Sequence, residues 1–359
     1  HAIKEIFGLE PESFDENSFY CAISWLAEKQ ADIEQKLFRR RYSNQSAPEF
    51  FLYDVTSSYL EGTDNELAHY GYNRDKKQGK KQIVIGLLTD IYGTPVAVRV
   101  FEGNTSDTTT VPEQISILSK QFGVQRITLV GDKGMLRGPQ IKELTAVQFN
   151  YITAISKSEI RAMLSTGLIQ LSLFDENLTS VTDITNGIRY VLRRNPERVR
   201  QVRANRHDRI QKIKECAVTQ THYLSASYKR SVDVALRQVT AKIERYNLGK
   251  IVAAKSDDRS IEICINNDAL SQAEMLDGCY VIKSDLPADA ITDTQIHDRY
   301  KDLSKVERAF RTMKTGLLEI RPLFLRRADH TRGHVFMVML SYLLSKEIDK
   351  SIANLDGTT

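Results

Sequence analysis

Residues 50–59 read Phe-Phe-Leu-Tyr-Asp-Val-Thr-Ser-Ser-Tyr, and residues 126–134 read Arg-Ile-Thr-Leu-Val-Gly-Asp-Lys-Gly. Both are aromatic or β-branched runs of the kind that fill a buried strand, and each carries a carboxylate that strand formation does not require. Asp54 sits in the middle of the first run, and Asp132 follows the second between Gly131 and Gly134. An ionised carboxylate is costly to desolvate unless a cation, a hydrogen-bond network or an active site receives it. The two Asp are therefore the first candidates for function.

Their surroundings supply the rest of a sheet. Residues 82–89 (QIVIGLLT) form a second apolar run, Tyr92-Gly93-Thr94-Pro95 has turn chemistry, and residues 96–101 form a third strand. Residues 108–122 predict a helix, with a Thr start, a Pro in the first turn and Ile115, Ile117, Leu118 and Phe122 as its stripe. A short helix over 140–147 and a strand over 151–155 complete the order β-β-β-α-β-α-β. In that order the first and fourth strands are neighbours, as in ribonuclease-H-like folds, and Asp54 would face Asp132 across a strand gap. Like charges that close are tolerated chiefly where a divalent metal neutralises them, and hard oxygen ligands select Mg²⁺ or Mn²⁺ over zinc.

A third carboxylate should come from a helix beside those strands. Residues 298–317 read as that helix, and within it Tyr300, Glu307 and Lys314 are spaced by seven, which puts all three on one face. Val306, Phe310 and Met313 form the apolar stripe beside them.

Further out, residues 11–40 predict a helix with Phe19, Ile23, Trp25, Leu26, Ile33 and Leu37 as its stripe, ahead of Arg39-Arg40-Arg41. Between Asp132 and Glu307 the character changes. Residues 189–214 carry ten Lys or Arg against two acids, residues 228–246 are helix-like, and residues 261–265 and 278–283 are strand-like. This stretch reads as an inserted module whose basic run suits phosphate contacts. Residues 333–348 predict a closing helix with Val335, Phe336, Met339, Leu340, Leu343 and Leu344 on or near one face. The expected organisation is a helical N-terminal segment over 1–45, a core over 46–156 and 291–359, and an insertion over 157–290.

Composition limits the function classes. At 359 residues, 41% apolar and 27% charged, the chain can bury a large core and is neither disordered nor collagenous. Fifty Lys and Arg against 46 acids leave only +4, so polyanion binding must rest on where the charges sit. Cys21, Cys216, Cys264 and Cys279 lie far apart without metal-ligand spacing, as free thiols in a reducing cytoplasm would. No apolar run is long enough to span a membrane, Val335 to Leu344 being the longest. The chain opens on His1 and not Met, so further N-terminal sequence is expected.

Together these residues resemble the DDE transposases of bacterial insertion sequences, in the branch whose catalytic core is interrupted by a β-rich insertion. The resemblance rests on Asp54-Val55-Thr56-Ser57, Gly71-Tyr72-Asn73-Arg74-Asp75, Gly103-Asn104-Thr105-Ser106-Asp107, Val130-Gly131-Asp132-Lys133-Gly134 and the Glu307 helix through Arg321-Pro322. The branch signature Tyr-x2-Arg-x3-Glu-x6-Lys is met at Tyr300, Glu307 and Lys314, while its Arg position holds Leu303. Gly103 to Asp107 either caps the following helix or lies near the site.

The resemblance implies a ribonuclease-H-like α/β core, a mixed sheet flanked by helices, interrupted between a strand-borne Asp and a helix-borne Glu. It implies that Asp54, Asp132 and Glu307 hold two Mg²⁺, with Mn²⁺ able to substitute, for DNA strand cleavage and strand transfer by in-line displacement at phosphorus. Lys314 and Tyr300 would contact phosphates near the scissile position, and Arg74, Lys133 and Arg311 are further DNA-binding candidates. The implied partners are the terminal inverted repeats and target DNA, with a homodimer pairing two ends and no membrane. A DNA-binding derivative that no longer cuts, or a metal-dependent nuclease without strand transfer, are the alternatives.

Overall fold

In a computed structural model, residue 8 and residues 15–43, 48–316 and 318–355 are described. Residues 11–14 of the expected first helix and Leu317 lie outside them. The chain divides into two compact units, residues 1–154, 184–189 and 282–359 forming one, and 155–183 and 190–281 the other.

The first unit is built on a mixed sheet. Strands β1 (Phe50–Tyr59), β2 (Gln82–Asp90) and β3 (Pro95–Phe101) form an antiparallel meander, and β4 (Thr128–Gly131) and β5 (Asn150–Ala154) join β1 in parallel. The order is β3-β2-β1-β4-β5, and Ile282–Ser284 of β10 (Cys279–Ser284) pair antiparallel with β5. This is the ribonuclease-H-like arrangement the sequence predicts, with the first and fourth strands adjacent. β2 is buried along its whole length, as its unbroken apolar run requires. Between β2 and β3, the Asp90 carboxylate accepts from the backbone N–H of Tyr92 (2.8 Å) and Thr94 (2.9 Å), and Gly93 takes the left-handed conformation at φ +72°.

Helices cover the sheet. α1 (Glu16–Tyr42) packs on α10 (Ala328–Leu355) and on β3, and the helix over Val111–Ser116 (α2) contributes Val111 and Ile115 to the main apolar cluster. Phe38 of α1 enters the same cluster and stacks on Phe122 with ring centroids 4.2 Å apart. Two expectations for α1 are corrected. Phe19 and Trp25 are exposed, and a charged residue, Glu34, is the deeply buried one beside Phe38. Glu34 is tolerated there because Arg99 pairs with it at 2.8 Å, and Gln30, Gln121 and the Val98 N–H also donate to it. Leu344 of α10 is likewise exposed, not core. The helical stretch before β4 changes winding twice, from a 3₁₀ turn over Asp107–Thr110 through α2 to a π turn over Ile117–Gln121.

The second unit has its own core. α5 (Pro196–Ser225) and α6 (Val232–Arg245) pack together and on the hairpin of β8 (Val252–Asp257) and β9 (Ser260–Ile265), closing over Ile213, Ala217, Leu224, Ala235 and Val239. The unit also contains α3's successor along the chain, α4 (Lys157–Ser165), then β6 (Thr179–Thr182), most of β7 (Arg189–Arg194) and α7 (Asn267–Met275), α3 itself (Gly138–Ala146) belonging to the first unit. It is mixed and helix-dominated, not β-rich. The basic run lies largely on α5, where part of its charge is spent internally. Arg206 pairs with buried Asp277 at 2.6 Å and with Glu274 at 3.4 Å, and Lys212 pairs with Asp208 at 2.8 Å.

The expected helix over 298–317 is two helices, α8 (Asp293–Lys301) and α9 (Leu303–Lys314), meeting at Asp302. There the Lys305 N–H bonds the Asp302 carbonyl in an i→i+3 contact, and the Asp302 carboxylate pairs with Lys305 (2.8 Å) and Arg299 (3.2 Å). Asp is a poor interior helix residue because its short side chain competes for nearby partners, and the break falls on it. Tyr300 therefore stands on a different helix from Glu307 and Lys314.

Candidate active site

The β1–β4 pairing aligns Tyr53 with Gly131, the last residue of β4, and the residue after each is an Asp. Asp54 and Asp132 are thus brought side by side at the point where β4 ends. α8 packs against β4 and β5, and α9 against β1, so both helices stand over the same region of the sheet. α9 is fixed by burial of Val306, Ala309, Phe310 and Met313, which leaves Glu307 on its exposed side.

Electrostatics tie the three acids together. The Asp54 carboxyl is pushed up to about 7, first by burial and then by the negative charges of Glu307 and Asp132, while the Val55 N–H and Arg74 act in the opposite direction. Tyr300 donates its hydroxyl to Asp132 Oδ1 at 3.1 Å, and burial together with the Asp132 charge pushes its phenol well above the ordinary range. Acids crowded this way, all hard oxygen donors, suit a divalent cation. Among the described residues, no group of three His, Cys, Asp or Glu is already gathered closely enough to hold an ion.

A second set of charges borders the acids. Arg74, in the β1–β2 loop, bonds Asp107. A Cβ placed on Gly134 would stand 3.7 Å from both Asp107 Oδ2 and Asp132 Oδ2, which sets Asp107 at the edge of the site. Lys314 is buried, and its ammonium is held by Asp75 at 3.0 Å. Arg321 bonds the same Asp75 oxygen at 2.7 Å. Lys133 and Arg311 are exposed. Sequence reasoning did not single out Asp75 or Arg321; the only signal was their presence within quoted motifs, since loop residues carry no periodicity.

The model of the transposase DDE domain matches residues 45–344, and the chain belongs to that family. Among solved structures, the chain is similar to the piggyBac transposase synaptic complex with hairpin DNA, with a TM-score of 0.44 and 10% identity over 85% of this chain and 48% of that one. It is also similar to the Mos1 transposase paired-end complex with left transposon end (TM-score 0.20, 10% identity, 42% of this chain and 47% of that one). A third is the Mos1 mariner paired end complex with Mn (TM-score 0.16, 10% identity, 47% of each chain). The chain spans about half the length of these relatives. No curated protein matches it. No described helix is long and apolar enough to cross a membrane.

Proposed function

We propose that the chain carries the catalytic core of a DNA transposase, with Asp54, Asp132 and Glu307 as its metal-binding acids. The observation that supports this most is the β1–β4 register, in which Asp54 and Asp132 directly follow the last paired residues Tyr53 and Gly131, with Glu307 close enough to raise the Asp54 carboxyl. A divalent ion on these acids, Mg²⁺ or Mn²⁺ and as a pair in the two-metal scheme, would supply activation of the attacking oxygen and charge neutralisation at phosphorus. Tyr300 orients Asp132 through its hydroxyl, and α9 holds Glu307 by its apolar stripe. Arg74, braced by Asp107, adds positive charge beside Asp54. Lys133, next to Asp132, and Arg311, one turn after Glu307, are exposed and would meet DNA phosphates. The substrates on this reading are insertion-sequence ends and target DNA, engaged by a homodimer.

Mn²⁺-dependent nicking of supercoiled plasmid tests the reading. Glu307→Gln should abolish nicking while binding of duplex DNA stays within a few-fold; nicking that survives the change removes Glu307 from the site. Joining of a 3′-hydroxyl end to a second duplex then separates strand transfer from simple nuclease action.

A further inference from the structure

Asp75 lies in the loop between β1 and β2, with its side chain only 3% exposed. Its Oδ1 accepts from both Lys314 Nζ (3.0 Å) and Arg321 Nη1 (2.7 Å), while Oδ2 is buried without a hydrogen-bond partner. Buried ion pairs add little net stability, and an orphaned carboxylate oxygen subtracts from it, so stability does not account for this arrangement. Two cations on one anion keep one surplus positive charge. Exposure decides where that charge faces: the Lys314 side chain is 9% exposed and that of Arg321 is 32% exposed.

Arg321 is also held in place through its backbone neighbours. Ser58 Oγ donates to the Ile320 carbonyl (3.1 Å), the Leu323 N–H to the Tyr59 carbonyl (2.9 Å), and the Glu61 N–H to the Leu323 carbonyl (2.9 Å). The segment is thereby strapped to the end of β1, the strand that carries Asp54. Lys77 reaches the same strand end, with its ammonium 5.4 Å from the centroid of the Tyr59 ring. Arg74, the residue before Asp75, bonds Asp107, and the Asp107 and Asp132 carboxylates both lie beside Gly134, so the loop carrying Asp75 borders the acids.

We infer that Arg321 is a contact for a backbone phosphate of bound DNA and that Asp75 is the positioning residue aiming its guanidinium. A guanidinium has five N–H donors in a planar fork; Asp75 engages Nη1 and leaves the others for phosphate oxygens. The ligand class is a DNA phosphodiester, read without regard to base sequence. This rests on the DNA reading above.

The test is a salt series of fluorescence anisotropy, using the full chain and a short labelled duplex of arbitrary sequence. Arg321→Ala should reduce the slope of log K against log salt by about 0.9, the value for one phosphate contact. Arg321→Gln, which keeps the stem and hydrogen-bond donors, should give the same loss and so separate charge from packing. Asp75→Asn should weaken binding several-fold although it adds positive charge, and should cause no such loss in the Arg321→Ala background. An unchanged slope in Arg321→Ala, or equal Asp75→Asn losses in both backgrounds, would each overturn the assignment. Failure of the wild-type chain to bind the duplex even at low salt would overturn the DNA reading itself.

Discussion

Asp54 is the residue where fold and chemistry conflict most. Its carboxyl lies at 3.8 ordinarily and at about 7 here, because burial and the Glu307 and Asp132 charges disfavour the anion. The protonated form is the one the fold accepts. This contribution to stability is therefore complete below the unfolded value and lost as pH rises through the folded one. Without divalent ions, wild-type unfolding free energy should fall by on the order of 3 kcal/mol between about pH 4 and pH 7 relative to Asp54→Asn. Urea melts across that range check it; identical pH slopes in the two proteins would contradict it. Asp54 and Asp132 were legible in the sequence because a carboxylate stands out within or just after an apolar strand run. Asp75 and Arg321 did not stand out because polar loop residues look alike until the fold gives them partners.

At the scale of elements, β1 to β5 were legible in the sequence, while β6, β7 and β8 were not. A strand reports itself through a short apolar run, and β1 and β2 begin where their runs begin. α5 was missed as a helix because its first half, Pro196 to Arg209, offers only Val199 and Val202 as branched apolar side chains among polar and charged residues; its buried residues start at Ile210. The spacing of seven across Tyr300, Glu307 and Lys314 gave no sign of the break at Asp302, since periodicity does not register a single-residue change of winding. The α1–α10 contact was also hidden. It depends on Gly333, where a Cβ would fall on the backbone oxygen of Ile23. Gly333→Ala must push the helices apart, and should destabilise the protein by about 1–3 kcal/mol. Thermal melting checks this; an unchanged midpoint would mean that the close approach is not needed.

For the whole molecule, net charge was a poor guide. A surplus of +4 says little, because the informative charges act locally: Arg206 is spent on Asp277, Lys314 on Asp75, and Lys133 and Arg311 remain exposed. What the sequence did convey is the long-range logic of the first unit. Acids far apart in the chain, at 54, 132 and 307, are drawn together by one sheet pairing and one helix packed on it. The central claim is that these acids receive a divalent cation. Mn²⁺ soaked into crystals of the full chain, followed by anomalous diffraction, tests it most directly. An anomalous peak is expected between Asp54 and Asp132 with Glu307 turned towards it, and loss of that peak in Asp54→Asn. A Mn²⁺-saturated crystal with no peak among the three carboxylates would contradict it.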